Sequence, residues 1–152
     1  MRVSEVMTPD VRCCTPQTDL ETVAMEMWNG DCGSIPVMDD NGTPVGMITD
    51  RDIAMAGALQ HRALREITTG EVTNGRGVYC CNSEDNIESA LQIMAEGHVR
   101  RLPVVDDAGC LQGILSADDV VAYAERGKRG KGKPELSFED AIVTLKAVCK
   151  HH

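Results

Sequence analysis

The sequence predicts an α+β fold: two pseudo-symmetric β-α-β-β-α units packed together, followed by a C-terminal helix. Three observations predict it. The first is an internal repeat at a constant offset, which carries Cys13-Cys14 to Cys80-Cys81, Pro36-Val37 to Pro103-Val104, Asp39-Asp40 to Asp106-Asp107 and Asp52 to Asp119 without a gap. The second is the same change of apolar spacing in both copies, from a helical period to a short β-branched run. The third is a break in composition at Arg126–Lys133, which reads RGKRGKGK. It separates the repeat from a last amphipathic segment.

The elements follow in order. Arg12–Thr15 and Tyr79–Asn82 read as the first strand of each copy. Leu20, Val23, Ala24, Met27 and Trp28 then recur at helical spacing, as do Ile87, Ala90, Leu91, Met94 and Ala95. Asp19 or Thr18, and Asp85 or Asn86, suit N-caps. Gly30 and Gly97 suit the left-handed residue that ends a helix. Ile35–Met38 and Leu102–Val105 form the next strands, Asp39–Gly42 and Asp106–Gly109 the hairpin turns, and Val45–Thr49 and Gln112–Ser116 the returning strands. A second helix starts at Asp50 or Ala117.

Upstream the register slips by one residue, since Glu5-Val6 matches Glu71-Val72, and one extra residue in the Asn74–Gly77 loop accounts for it. A unit of roughly 55–60 residues buries too little apolar surface to stand comfortably alone. The duplication therefore implies two units packed on each other, with the near-symmetric cleft between them as the expected site. The domain reading is residues 1–60 for the first unit with its N-terminal segment, 61–125 for a linker and the second unit, and 126–152 for the basic linker and the C-terminal helix. That helix starts with a capping box, Ser137-x-x-Asp140. Ile142, Leu145, Val148 and Cys149 are expected on its apolar face. A helix this short should dock on the body or on a partner subunit.

Composition narrows the function. A net charge of −9 on 152 residues argues against a nucleic-acid coating protein. No apolar run approaches the roughly 18–20 residues of a membrane span, and no signal segment opens the chain, so a cytoplasmic protein is expected. Seven cysteines without an export signal fit a reducing compartment. Aromatic residues make up only 3%, so the core must be aliphatic.

The sharpest chemical signal is Gly-h-h-[Ser/Thr]-x-x-Asp, where h is apolar. It occurs as Gly46-Met47-Ile48-Thr49-Asp50-Arg51-Asp52 and again as Gly113-Ile114-Leu115-Ser116-Ala117-Asp118-Asp119. Both copies stand where a strand turns into a helix. Such a helix start offers free amides to a phosphate, and a carboxylate one turn in can accept both hydroxyls of a ribose. The same Ser/Thr-x-x-Asp spacing also suits a capping box that needs no ligand. A second signal is Gly97-His98-Val99-Arg100-Arg101-Leu102-Pro103, three basic side chains before a strand in an acidic body. It reads as a phosphate clamp or as a solvated loop paired with nearby acids. The first copy has Asp31-Cys32-Gly33-Ser34 there and no cation. One member of each pair Cys13-Cys14 and Cys80-Cys81 should face the core, as apolar filler or as part of a thiol switch. No nucleophile–base pairing, P-loop or metal-ligand spacing is found, so an enzyme is not expected.

These residues together resemble a tandem CBS-domain pair, or Bateman module, of the small stand-alone bacterial type. The Val-Met-Thr-Pro run at Val6–Pro9, both Gly-h-h-[Ser/Thr]-x-x-Asp motifs and Val-Arg-Arg-Leu-Pro-Val-Val-Asp at residues 99–106 carry the resemblance over residues 1–125. It implies a regulatory or sensory module that holds AMP, ADP, ATP, NAD or S-adenosylmethionine between its units. It also implies a homodimer acting on an unidentified protein target, with no cofactor required beyond the regulatory ligand. Asp52 and Asp119 would take the ribose, Thr49 and Ser116 would lie by ribose or phosphate, and Met47 and Ile114 would flank the base. Arg51 belongs to the same motif. Contacts are further implied around Asp10 and Arg12, or Gly77 and Tyr79, and at Val99, Arg100 and Arg101, or Cys32 and Gly33. The second copy departs from the family pattern with Thr73-Asn74-Gly75 in place of Met-Thr-Pro and with Asp118 before Asp119. The alternative is a ligand-free protein-interaction or thiol-redox module acting through the cysteines and the C-terminal helix.

Overall fold

The computed structural model describes residues 1–125 and 134–150, so the basic run at 126–133 and the terminal histidines lie outside the described residues. Two compact units make up the chain. One, the inner unit, is Val11–Val78. The other, the outer unit, joins Met1–Asp10 to the residues from Tyr79 onward.

In the inner unit, helix α1 (Leu20–Asn29) starts at Asp19, whose carboxylate accepts from the Thr22 amide. The antiparallel hairpin of β2 (Ser34–Met38) and β3 (Pro44–Thr49) follows, and β3 runs into helix α2 (Asp50–Gln60). A short helix, α3 (Thr69–Thr73), packs against β3. Leu20, Val23, Ile35, Val37, Ile48 and Ile67 are fully buried and form an aliphatic core.

In the outer unit, β4 (Cys81–Asn82) lies parallel to β5 (Arg101–Val105), which pairs antiparallel with β6 (Leu111–Ser116). Helix α4 (Ile87–Gly97) precedes β5, and α5 (Ala117–Tyr123) follows β6. The fourth strand of this sheet is β1 (Thr8–Pro9), from the N-terminus, paired with β6. Val3 and Val6 plug the same core as Ile87, Met94, Leu102 and Leu115. The C-terminal helix α6 (Phe138–Val148) packs on α4 and α5, and Leu136 just ahead of it is 1% exposed.

The register of the two hairpins repeats the offset of the sequence. Ser34 faces Thr49 and Pro36 faces Met47, just as Arg101 faces Ser116 and Pro103 faces Ile114. Both hairpins break register at the same place, between Val37 and Met38 and between Val104 and Val105.

Several expectations need correction. The compact units differ from the 1–60 and 61–125 reading of the repeat only in the segments that lead into each copy. Residues 1–10 pair with β6, while Leu20 and Thr69 bond across to the backbone of Ile67 and Thr18, which ties residues 61–78 to the inner unit. Around Arg12–Thr15 the expected strand is a single bridge of Cys14 to Val37. Gly30 and Gly97 are not the left-handed residues. Those are Asp31 and His98, each one position later, with φ of 49° and 51°. On α6 the buried side chains are Ala141, Thr144 and Val148, whereas Ile142 and Cys149 are exposed. Small residues let α6 approach α4 closely, so the larger Ile142 faces away. No helix among the described residues is long and apolar enough to cross a membrane.

Candidate functional site

Each motif builds a strand-to-helix junction whose first turn is held by a reciprocal pair of hydrogen bonds. In the inner unit the Asp52 amide donates to Thr49 Oγ1 at 3.1 Å, and the Thr49 amide donates to Asp52 Oδ2 at 3.0 Å. In the outer unit the Asp119 amide donates to Ser116 Oγ at 3.1 Å, while the Ser116 amide and hydroxyl donate to Asp119 Oδ2 at 2.8 and 2.6 Å. Both are capping boxes that satisfy backbone donors a helix start leaves open. Each spends one carboxylate oxygen, Oδ2, on the cap.

The second oxygen, Oδ1, differs between the units. Asp52 Oδ1 accepts from Arg76 Nη1 at 2.8 Å. Among the described residues, Asp119 Oδ1 accepts only a long bond, 3.4 Å, from Thr8 Oγ1. Burial acts to raise the Asp52 carboxyl, but the Arg76 guanidinium and the Thr49 donors outweigh it and hold its pKa below the usual carboxylate value.

The hairpins bring further expected residues to these junctions. Arg101 stands across from Ser116, and the Arg100 carbonyl accepts from the Ala117 amide at 2.8 Å. In the inner unit the Gly33 carbonyl accepts from the Asp50 amide at 3.0 Å. Met47 is half-buried on β3 and Ile114 buried on β6, while Arg51 is exposed in the first turn of α2. Cys32 and Gly33 border a cavity of about 550 Å³ between α1 and α2, together with Met27, Trp28, Asp50 and Ile53.

Other expected residues are engaged elsewhere. Arg12 pairs with Glu26 at 2.6 Å and lies over Gly30. The Tyr79 ring covers Gly97. Arg100 Nη2 donates to Cys149 Sγ at 3.4 Å, and His98 Nδ1 lies 3.1 Å from the Ala147 carbonyl, so the end of α6 sits on the basic loop. Val99 is half-buried behind that loop. Asp10 and Gly77 are exposed at positive φ in the segments leading into each repeat. Sequence reasoning missed Arg76 and Thr8 as partners of the two aspartates. The slip in the repeat at Asn74–Gly77 was the available signal for Arg76, because an inserted residue changes what a loop delivers.

Cys14 and Cys81 face the two cores, while Cys13 is exposed and Cys80 half-buried. Burial pushes the Cys14 thiol up to about 11 and the Cys81 thiol up to about 12. Among the described residues no group of three His, Cys, Asp or Glu side chains is placed to hold a metal ion.

The chain is similar to several known proteins. The CBS domain profile matches residues 3–58 and again residues 70–126. The CBS domain-containing protein YhcV of Bacillus subtilis is 34% identical, over 78% of this chain and 81% of its own length. Hypoxic response protein 1 of Mycobacterium tuberculosis is 29% identical over 95% of this chain and 92% of its own. A crystal structure of Hypoxic Response Protein I with two coordinated zinc ions superposes with a TM-score of 0.73 at 28% identity, covering 82% of this chain and all of that one. CBSX2 in complex with AMP gives a TM-score of 0.67 at 28% identity, over 80% of this chain and 93% of that one. The homoserine O-acetyltransferase of Methanohalophilus mahii is 30% identical over 85% of this chain, but the chain spans only 26% of that enzyme's length.

Proposed function

The chain belongs to the CBS domain family, and from that premise we propose that it is a regulatory module that senses an adenine nucleotide or another adenosyl ligand. The ligand classes are AMP, ADP, ATP, NAD and S-adenosylmethionine. Thr49 with Asp52, and Ser116 with Asp119, receive the ribose. One observation carries the reading. In both units the cap occupies only Oδ2, and Oδ1 of the same aspartate is left to a side chain that a ligand can replace. Each half-exposed or long contact is weak, so exchanging it for a ribose hydroxyl costs little. That CBSX2, a similar protein, was crystallised with AMP supports the ligand class. The exposed apolar side chains Met25 and Trp28 on α1 support a homodimer.

Isothermal titration with the five ligands tests this reading on the wild type, on Asp52→Asn and on Asp119→Asn. Asparagine keeps an acceptor for the cap and removes the charge. A hydrogen bond to a charged group exceeds a neutral one by about 1 kcal/mol, so each variant should bind its ligand roughly fivefold more weakly at its own site. Unchanged binding in both variants, or no binding by the wild type, would contradict the assignment.

A further inference from the structure

We propose that Arg76 is the anion-binding residue of the Asp52 site, and that it makes this site select an adenosyl ligand carrying a phosphate over one without. The inference rests on the function proposed above and assigns a residue and a preference to one of its two sites.

The two copies of the repeat agree in register but not in charge. Before and at the start of β5 the outer unit carries Arg100 and Arg101; before and at the start of β2 the inner unit carries Gly33 and Ser34. Ser34 is 5% exposed, and its hydroxyl is enclosed without a hydrogen-bond partner among the described residues, so it presents nothing to an anion. The inner unit recovers a cation from elsewhere. Gly75 and Gly77, at φ of 80° and 68°, flank Arg76 in conformations that favour glycine. This turn contains the residue inserted relative to the first copy, and it sets the guanidinium on Asp52. The corresponding segment of the outer unit brings only the Thr8 hydroxyl to Asp119.

The geometry suits a receptor better than a plug. Asp52 is 17% exposed and firmly capped, whereas Arg76 is 51% exposed and gives Asp52 a single nitrogen, Nη1. A guanidinium has five N–H donors in a rigid fork, so on yielding Oδ1 to a ribose hydroxyl it can turn them to a phosphate on the same ligand. The pair therefore pre-orders the long Arg76 side chain, and less freedom is lost when an anion arrives. A carboxylate beside a guanidinium matches the ribose hydroxyls and the phosphate of a single nucleotide. Asp52 and Arg76 also border a hollow of about 320 Å³ walled by Met55, Ala56, Leu59 and Val72, which gives the charged pair an apolar flank.

The test is titration of the full chain with AMP and with adenosine. An Asp119→Ala background deletes the ribose acceptor of the other site and leaves the Asp52 site to be read, and circular dichroism confirms folding. Arg76→Ala should weaken AMP about tenfold or more and leave adenosine within about twofold, since a charge-assisted bond to phosphate is lost and the half-exposed pair with Asp52 that goes with it is weak. Arg76→Lys should fall between, because it keeps the charge and loses the fork. Equal AMP affinity, tighter AMP binding, or an equal loss for both ligands overturns the inference. So does AMP binding by the wild type but not by the Asp119→Ala chain, an outcome that leaves the proposed function standing. A wild type that binds neither ligand overturns both.

Discussion

The glycine that opens the repeated motif should respond oppositely to the same substitution in its two copies. Gly113 on β6 sits under the N-terminal strand. A Cβ there would lie 2.6 Å from the Thr8 carbonyl oxygen and 2.9 Å from Met7 Sδ, against 3.4 Å for ordinary contact. The Thr8 oxygen is backbone and β1 pairs directly with β6, so relief means moving the strand by several tenths of an ångström. Val3 and Val6 anchor that segment at 0% and 2% exposure and resist the shift. Overpacking of this kind costs about 1–3 kcal/mol. For a chain of this size that is a fall in Tm of roughly 3–10 °C. At Gly46, the matching residue of the inner unit, a Cβ meets Thr73 Cβ at 3.6 Å and nothing closer. Gly46→Ala should be neutral, or stabilising by about 0.4–1 kcal/mol through the reduced freedom of the unfolded chain. Urea and thermal denaturation of the two single variants decide the matter. A Gly113→Ala protein as stable as the wild type, or equal losses in both, would refute the packing of residues 1–10 on β6.

Two further predictions follow from burial. Pulsed alkylation at pH 8 with mass spectrometric readout should label Cys13, Cys32 and Cys149 first and spare Cys14 and Cys81 until the protein unfolds. With its thiol raised to about 11, Cys14 has about 0.1% thiolate at that pH, and early labelling of it would contradict its place in the core. Leu136→Ala should cost about 2–5 kcal/mol, while Ile142→Ala, at a side chain 53% exposed, should stay within about 0.5 kcal/mol of the wild type. Equal effects in chemical denaturation would show that α6 does not seal the outer core.

What could be read from the sequence was what neighbours along the chain decide. The capping boxes at Thr49, Ser116 and Ser137, the hairpins and the helix periods each depend on residues within a few positions. The exchange of lead-in segments was not legible in this way. Whether Val3 and Val6 plug one core or another depends on which sheet offers an open edge, and both copies carry the same Glu-Val pattern at Glu5-Val6 and Glu71-Val72. Nor was the buried face of α6. Apolar periodicity selects Ile142 and Leu145, but close approach to α4 selects Ala141 and Thr144. The partner of Asp52 left no trace beyond the one-residue slip of the repeat, for a related reason. Arg76 is 24 residues away, and only the backbone of the Gly75–Gly77 turn brings it back.

The two meanings of Ser/Thr-x-x-Asp, helix cap and ribose acceptor, are compatible once the oxygens are told apart. Oδ2 closes the cap in both units, and Oδ1 does not take part in it. An alanine at Asp52 or Asp119 therefore removes two things at once. It gives up about 1 kcal/mol of helix capping whether or not any ligand exists, and it deletes the ribose acceptor. Lost binding in such a variant would be ambiguous by itself. The stability loss should be similar at both positions, because the caps are alike and the half-exposed Arg76–Asp52 pair adds no more than about 1 kcal/mol at Asp52. The ligand response should not be, because Asp52 faces Arg76 and Asp119 faces only Thr8. Matched stability losses with unmatched binding losses would separate the structural duty of each carboxylate from its duty toward a ligand.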